Sequence, residues 1–412
     1  MDNWKTKDMS SNIPVVIAGA GPVGSLIALY LAQRDIAVVL LEKEAELPVD
    51  LRASTFHPPS LEMIADLGFG VIEEMLEKGL KADRYQYRDR RSDEVASFDM
   101  SLLAQETRFP FRLQLEQYEF TRIVNDKLAA LPRADVRFAH EVTGFTQTDD
   151  YVDVQVATPQ GEQVIRADFL VSAEGARSCI RKLANIDYLG FTYDEKFLVV
   201  STDFPFEEVF DDLSWVNYVS DPQEWCVILR TEKIWRVLFP TTPETAADEQ
   251  RLLSDEFIQE RLHHLWNKEG DYAIGHRTLY NVNQRVAETY YQGRVVLAGD
   301  ACHINNPLGG MGMNGGLHDG NNLAAKLARI INDGEAHIPL FDHYNRQRRD
   351  LAVRFVQEHT IANKKLMEAS DEETQVARQR MLMDTAADTE KARAFLLERA
   401  MINCVRDSEA LA

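Results

Sequence analysis

Two glycine-rich turns stand nearly three hundred residues apart in this chain, and a fold that uses both has to close them on one place. The first is Gly19-Ala20-Gly21-Pro22-Val23-Gly24; the second occupies residues 299–316 and ends Asn306-Pro307-Leu308-Gly309-Gly310-Met311-Gly312-Met313-Asn314-Gly315-Gly316. Around the first turn, residues 13–18 read as a buried strand, 22–33 as a helix and 36–42 as a second strand, which makes a βαβ unit. In that setting G-x-G-x-x-G is a dinucleotide fingerprint. Gly19 allows the tight turn, Gly21 lets backbone approach a pyrophosphate, and Gly24 lets helix and strand pack closely. Pro22 opens the helix, whose N-terminal N–H groups and dipole favour an anion. Glu42 ends the second strand, where its carboxylate can accept from a ribose diol. An acid there disfavours a 2′-phosphate, although the fingerprint alone does not separate NAD from FAD.

The second turn follows an apolar strand at residues 294–298, which delivers Asp300 to a sheet mouth. Pro307 fixes its own φ. Five of the next ten residues are glycine, so successive N–H groups can form an anion-binding nest. A helix over 314–333 then points a second dipole at the same region. Nest and dipole together suit negative charge on a ring carbonyl, which is what a reduced flavin carries at N1 and C2=O.

Composition narrows the class. With 412 residues the chain is long enough for two or three domains, and a formal net charge of −21 argues against nucleic acid. The four cysteines are scattered, and no C-x-x-C pair, metal-ligand spacing, Ser-His-Asp arrangement or paired carboxylate is present, so no metal is expected. Charged residues are missing between Asp8 and Arg34, but Gly19, Gly21, Pro22 and Gly24 break that run, so no membrane span is expected and a cytoplasmic location is. Strands are expected at 136–138, 151–157 and 163–169, and helices at 60–67 and 114–130. A strand-rich region at 197–241 holds Trp215, Tyr218, Trp225, Trp235 and Phe239. Within it, Trp225, Val227 and Leu229 share one face, and Cys226, Ile228 and Arg230 the other. That aromatic face suits a flat substrate or is sheet core; Arg230 and Arg236 suit a substrate anion or are solvated. His303 and His57 suit a proton relay or packing. From residue 339 onward the chain reads as helical, either covering the molecule or making a homodimer contact.

The second turn, with the helix text Gly315-Gly316-Leu317-His318-Asp319-Gly320 that follows it, resembles the GD motif of the class A flavoprotein monooxygenases, the para-hydroxybenzoate hydroxylase family. The first turn resembles that family's FAD site, and the likeness runs in order over roughly residues 13–350. It implies an α/β fold: a Rossmann-like, glutathione-reductase-type FAD-binding domain (1–185 and 280–345), an interleaved substrate sheet domain (75–110 and 186–279) and C-terminal helices (346–412). It implies that Asp300 lies by the ribityl or pyrophosphate region and Pro307 beside the flavin C4a edge, and that Gly310, Gly312, Met313 and Asn314 hold the pyrimidine end. Arg52 and Gln117 resemble the family arginine and glutamine that reach FAD. The implied activity is insertion of one oxygen atom of O2 into a phenolic small molecule through a flavin C4a-hydroperoxide, with NADH or NADPH as a transient reductant. A flavin reductase that does not use O2 and a non-catalytic flavin-binding protein are the alternatives. One departure stands out: where the family carries Asp-Gly before Ala-Arg-Ser, this chain has Glu174-Gly175-Ala176-Arg177-Ser178.

Overall fold

The structure is a computed structural model that describes residues 13–49, 53–221, 224–357, 360–362, 364 and 372–411. Among the described residues, one sheet has six strands in the order Tyr291–Gln292, Val295–Leu297, Phe169–Ser172, Val15–Ala18, Val38–Leu41, Ala134–Arg137. All neighbours run parallel except the first pair. The strands VVIA, VVLL and FLVS are buried at every position. That follows from cover on both faces, which parallel sheets require. Val15, Ile17, Val38 and Leu40 turn toward the helices Pro22–Ala32, Gln117–Ala129 and Met311–Asp333. Val16, Ala18, Val39 and Leu41 turn toward the small antiparallel sheet of Glu141–Gln147, Val152–Thr158 and Gly161–Ala167. The period-two alternation of side chains makes this division.

The helix Met311–Asp333 lies along Pro22–Ala32. A Cβ on Gly316 would stand 3.1 Å from Val23 Cγ2, and one on Gly320 would stand 3.2 Å from both Ile27 Cγ1 and Val23 Cγ1. The two glycines lie four residues apart and therefore on one helix face. They make the groove into which the first helix settles.

An eight-stranded sheet stands over the strand ends in the order His303–Ile304, Ile274–Ala287, Tyr188–Thr202, Trp235–Thr241, Cys226–Arg230, Val216–Ser220, Arg84–Asp89, Val95–Asp99. One of its faces, with Phe197, Tyr218, Trp225, Val227, Tyr85 and Phe98, packs on Leu308 of the second glycine turn and on the C-terminal helices. The other face, with Cys226, Ile228, Trp235 and Phe239, packs on Asp255–Leu265. The helices Glu372–Ala387, Thr389–Arg399 and Ile402–Ala410 thus cover their own chain, with Phe395 stacked 4.5 Å from Phe98.

Several boundaries differ from the sequence reading. The helix expected at 114–130 starts at Gln117, because Arg112–Gln114 pairs in a strand with Thr55–Phe56 and Leu80–Ala82. The run 163–169 is two strands, Gly161–Ala167 and Phe169–Ser172, divided at Asp168. The helix expected at 314 starts at Met311.

A buried ion cluster fixes the helix Met311–Asp333. Asp319 accepts from Arg348 Nε at 2.7 Å and lies 2.9 Å from His303 Nε2, and the exposure of the three side chains is 4% or less. Burial pushes the Asp319 carboxyl up, but Arg348 and His303 outweigh it and hold the group below its ordinary value. Removing one partner leaves a buried charge unmatched, at a cost of about 3–5 kcal/mol. Asp319→Ala is therefore expected to lower the urea unfolding free energy by that amount. A loss under about 1 kcal/mol, within the usual range of a surface pair, would contradict this role.

Candidate functional site

The first turn is built for close approach. Gly19 has φ +101°, and a Cβ there would sit 2.5 Å from the Ala173 carbonyl oxygen. A Cβ on Gly24 would sit 2.0 Å from the Gly19 carbonyl oxygen. A Cβ on Gly21 would meet no protein atom within 4 Å. The bare backbone at Gly21 therefore leaves room for something other than protein. Gly21 is also the N-cap of Pro22–Ala32, with no side-chain cap and no acid in the first turn. Glu42 lies beside it, buried, and its Oε2 accepts from Ala20 N–H at 2.9 Å while Oε1 accepts from Glu44 N–H at 3.1 Å. Lone pairs remain on both oxygens for a diol.

The second turn arrives at the same place through Val23. A Cβ on Gly299 (φ +65°) would stand 2.9 Å from Val23 Cγ2. Arg181, buried, ties this strand end to the Glu174 segment by donating to Ala301 O at 3.0 Å and to Ala176 O at 2.9 Å. Asp300 is exposed at the mouth, and its carbonyl accepts from Tyr188 Oη. Pro307 is exposed, whereas Leu308 beside it is buried against the eight-stranded sheet. Asn306 anchors the turn by donating from Nδ2 to Thr360 O at 2.9 Å and accepting from Leu308 N–H at 3.1 Å.

The helix Met311–Asp333 has Gly310 (φ +67°) as its N-cap, again with no side-chain cap and no acid in its first turn. Gly312 and Met313 are half-buried in that turn. The Asn314 side chain is wholly buried and works inward. Its Oδ1 accepts from His57 N–H at 2.9 Å, and its Nδ2 donates to Thr55 O at 2.8 Å and Gly310 O at 2.7 Å. His57 Nε2 bonds Gly309 O at 2.8 Å. The backbone of this turn is thereby clamped, while no side chain caps the first turn of the helix that follows.

The remaining sequence candidates separate. Gln117 opens its helix, and its N–H donates to Ala53 O at 2.9 Å. Arg52 lies outside the described residues. Trp225 is on the face shared with Leu308, 5.7 Å from the Phe197 ring. Trp235 and Phe239 are on the far face, so only part of the expected aromatic set looks toward the glycine turns. Arg230 pairs at 3.7 Å with Glu207 and stands over Trp235, which places it on that far face too. Arg236 looks inward but is ion-paired with Glu116. His303 is 2% exposed and bound to Asp319, which makes it a packing and ion-pairing residue. The sequence reading missed Arg112, Tyr85 and the Asp319–Arg348 pair. Phe111-Arg112-Leu113-Gln114 alternates as a short strand does, which was the available signal for Arg112.

The Glu174 carboxylate accepts from Ser172 Oγ at 2.9 Å, Ser178 Oγ at 2.7 Å and Ile180 N–H at 3.1 Å. It turns back onto its own helix, Cys179–Leu183. Among the described residues no group of three His, Cys, Asp or Glu side chains could hold a metal ion, and no helix is long and apolar enough to cross a membrane.

Comparison with known proteins agrees with this geometry. The family model described as FAD binding domain matches residues 12–359. The chain is 31% identical over 398 residues to a para-nitrophenol 4-monooxygenase of a Pseudomonas species (strain WBC-3), covering 94% of this chain and 96% of that one. It is 30% identical over 351 residues to 6-hydroxy-3-succinoylpyridine 3-monooxygenase of Pseudomonas putida, covering 84% and 87%. The crystal structure of p-nitrophenol 4-monooxygenase PnpA from Pseudomonas putida DLL-E4 superposes with a TM-score of 0.87 at 30% identity, covering 94% of this chain and 98% of that one.

Two outcomes test the site. Gly21→Ala adds a methyl group that touches no protein atom, so thermal unfolding of the ligand-free protein should stay within about 0.5 kcal/mol of wild type. FAD affinity should fall roughly tenfold or more, ~1.4 kcal/mol. Unchanged FAD affinity, measured by fluorescence titration, would count against the pyrophosphate position. The second outcome concerns acid. Burial holds both His57 and His318 down to about 3, so the folded state keeps them neutral where the unfolded chain takes up a proton near 6.5. The unfolded state then binds more protons between those values, so stability falls as pH falls, by about 1.4 kcal/mol per unit per histidine. At pH 5 each histidine should contribute about 2 kcal/mol of lost stability relative to pH 7. His318→Gln should remove about half of that slope in urea titrations.

Proposed function

The chain belongs to the FAD binding domain family of class A flavin monooxygenases, and we propose that it is an NAD(P)H-dependent monooxygenase that hydroxylates a phenolic small molecule. The observation that carries this reading is the meeting of both glycine turns at Val23, with two uncapped helix N-termini opening on one side of it. The residues present fit FAD: Gly21 leaves a Cβ-sized gap for a pyrophosphate, Glu42 offers lone pairs to a ribose, and the uncapped first helical turn at Gly312 and Met313 offers N–H groups to a ring edge. When bound, FAD would supply the redox chemistry between NADH or NADPH and O2.

The protein's own work is positioning and exclusion. The Asn314 and His57 bonds lock the ring-end turn, so its N–H dipoles are fixed before any charge develops and need no reorganisation. The sheet face with Trp225, Phe197, Tyr218 and Tyr87 gives a flat aromatic wall opposite that turn. Phe395, stacked on Phe98, closes the far side with the C-terminal helices and keeps water out. Substrate orientation then comes from shape between two rigid walls.

Hydroxylases named for nitrophenol and hydroxypyridine substrates share this chain's length and order, which supports a single-ring substrate bearing an ionisable oxygen. The test is anaerobic mixing of FAD-loaded protein with NADH or NADPH and a panel of phenols, followed by oxygenation. Flavin bleaching should quicken when the right phenol is present, and a hydroxylated product should form on adding O2. A flavin that bleaches and reoxidises at the same rate with every phenol, giving only hydrogen peroxide, would overturn the hydroxylase reading in favour of a reductase or oxidase.

A further inference from the structure

We propose that Arg112, with Tyr85 and Arg399 beside it, is the seat of the substrate's anionic oxygen. The inference rests on the monooxygenase reading and names the group that selects its substrate.

Arg112 is 3% exposed, yet among the described residues no carboxylate lies within salt-bridge distance of it. The other inward-facing arginines have their partners: Arg348 has Asp319, Arg236 has Glu116, and Arg181 has two carbonyl oxygens. The hydrogen bond that Arg112 makes is a long one, 3.4 Å from Nη2 to the Arg399 carbonyl oxygen. Its Nε is buried with no partner. A guanidinium taken out of water without an anion is strongly unfavourable, so the site is complete only when a ligand brings the negative charge.

The surroundings say what kind of ligand. Arg112 stands 4.2 Å over the Tyr85 ring, and Tyr85 Oη, Arg399 Nη1 and Gln114 Nε2 are also buried without partners. With Arg112 Nε, these make four hydrogen-bond donors and supply no strong acceptor once Tyr85 is neutral. Burial pushes the Tyr85 hydroxyl well above its ordinary value, so it remains a donor. Such a set matches an oxyanion and mismatches a cation or an apolar group. The walls are flat rings: Tyr85 stacks on Phe98 at 5.6 Å, and Tyr87 stacks on Tyr218 at 4.9 Å. On the other side Gln114 Oε1 accepts from Thr55 Oγ1 at 3.0 Å, and Thr55 lies against Gly310 of the ring-end turn. An aromatic anion held by Arg112 is therefore placed between the tyrosine wall and the turn that carries the flavin edge. The chemical class is a single-ring aromatic carrying an ionised oxygen, a phenolate foremost. Stabilised as the anion, such a ring is electron-rich, as attack on an electrophilic oxygen requires.

The experiment uses the FAD-loaded protein and two probes of nearly equal shape, ionised 4-nitrophenol and neutral 4-nitroanisole, each titrated by absorbance. Arg112→Met should weaken 4-nitrophenolate binding by roughly ten- to a hundredfold and leave 4-nitroanisole binding and FAD content unchanged. Tyr85→Phe should give a smaller loss for the anion alone, and Arg112→Lys should restore part of it. Ligand-free Arg112→Met should unfold at or above the wild-type temperature, since it removes an unmatched buried charge. Equal weakening of both probes, or no binding of the phenolate by wild type, would overturn the proposal. Loss of FAD from the Met variant would also do so, by assigning Arg112 to the cofactor. These readouts are binding and unfolding, so they stand or fall separately from whether any phenol speeds NAD(P)H oxidation.

Discussion

Close contact around Val23 is the constraint on which the site depends. Gly299 and Gly316 approach the Val23 side chain, while Gly19, Gly24 and Ala173 pack backbone to backbone beside it. A side chain larger than hydrogen at Gly299 or Gly316 would press on Val23 and push apart two helices whose N-termini have to open on the same side, and one at Gly19 or Gly24 would break the turn itself. Helix dipoles act only within the first turn. A displacement of a few ångströms would therefore remove the electrostatic reason for a dinucleotide to bind across both turns. Packing density here sets function directly, because the binding groups are backbone and can be moved only by moving whole elements.

Buried charge follows a different logic in two parts of the molecule. The cluster of His303, Asp319 and Arg348 is matched internally and holds the long helix in register. Glu116 and Arg236 are likewise matched, at the start of the helix that carries Gln117. These pairs match charge within the protein and fix geometry. The group of Arg112, Tyr85 and Arg399 is unmatched, and it lies on the one sheet face that the C-terminal helices cover. A cover over unmatched donors keeps water from satisfying them cheaply, which raises the value of an arriving anion. The acidic surface of the chain, net −21, makes this local cationic site the more selective.

Local features were legible in the sequence and non-local ones were not. The βαβ unit and both glycine turns depend on short-range periodicity and turn chemistry, and they stand where the pattern puts them. The two-face division of Trp225 to Arg230 also followed from period two. What periodicity cannot give is which face meets the flavin side, since that depends on strands from residues 84–99 and helices from residues 372–410 arriving at one sheet. Arg230 was therefore a reasonable substrate partner by spacing and a poor one by placement. Arg112 escaped notice because its three-residue strand sits at the edge of a helical run, where pairing with Thr55–Phe56 overrides local preference.

Glu174 shows how a departure from a family motif can be absorbed. Its carboxylate reaches Ser172, Ser178 and the Ile180 N–H together, and Ser178 Oγ in turn accepts from Arg181 N–H at 2.9 Å. All three bonds converge on Oε2, which the extra methylene of a glutamate carries one bond farther from the backbone than an aspartate oxygen. The longer acid thus binds the start of Cys179–Leu183 and, through Arg181, the Ala301 carbonyl of the second glycine turn. In this chain the acid is held against the start of that helix, while Gly175 at φ +81° has no atom within 4 Å of its Cβ position. The motif's backbone thus stays open at the glycine while the longer acid is taken up by bonds inside the protein.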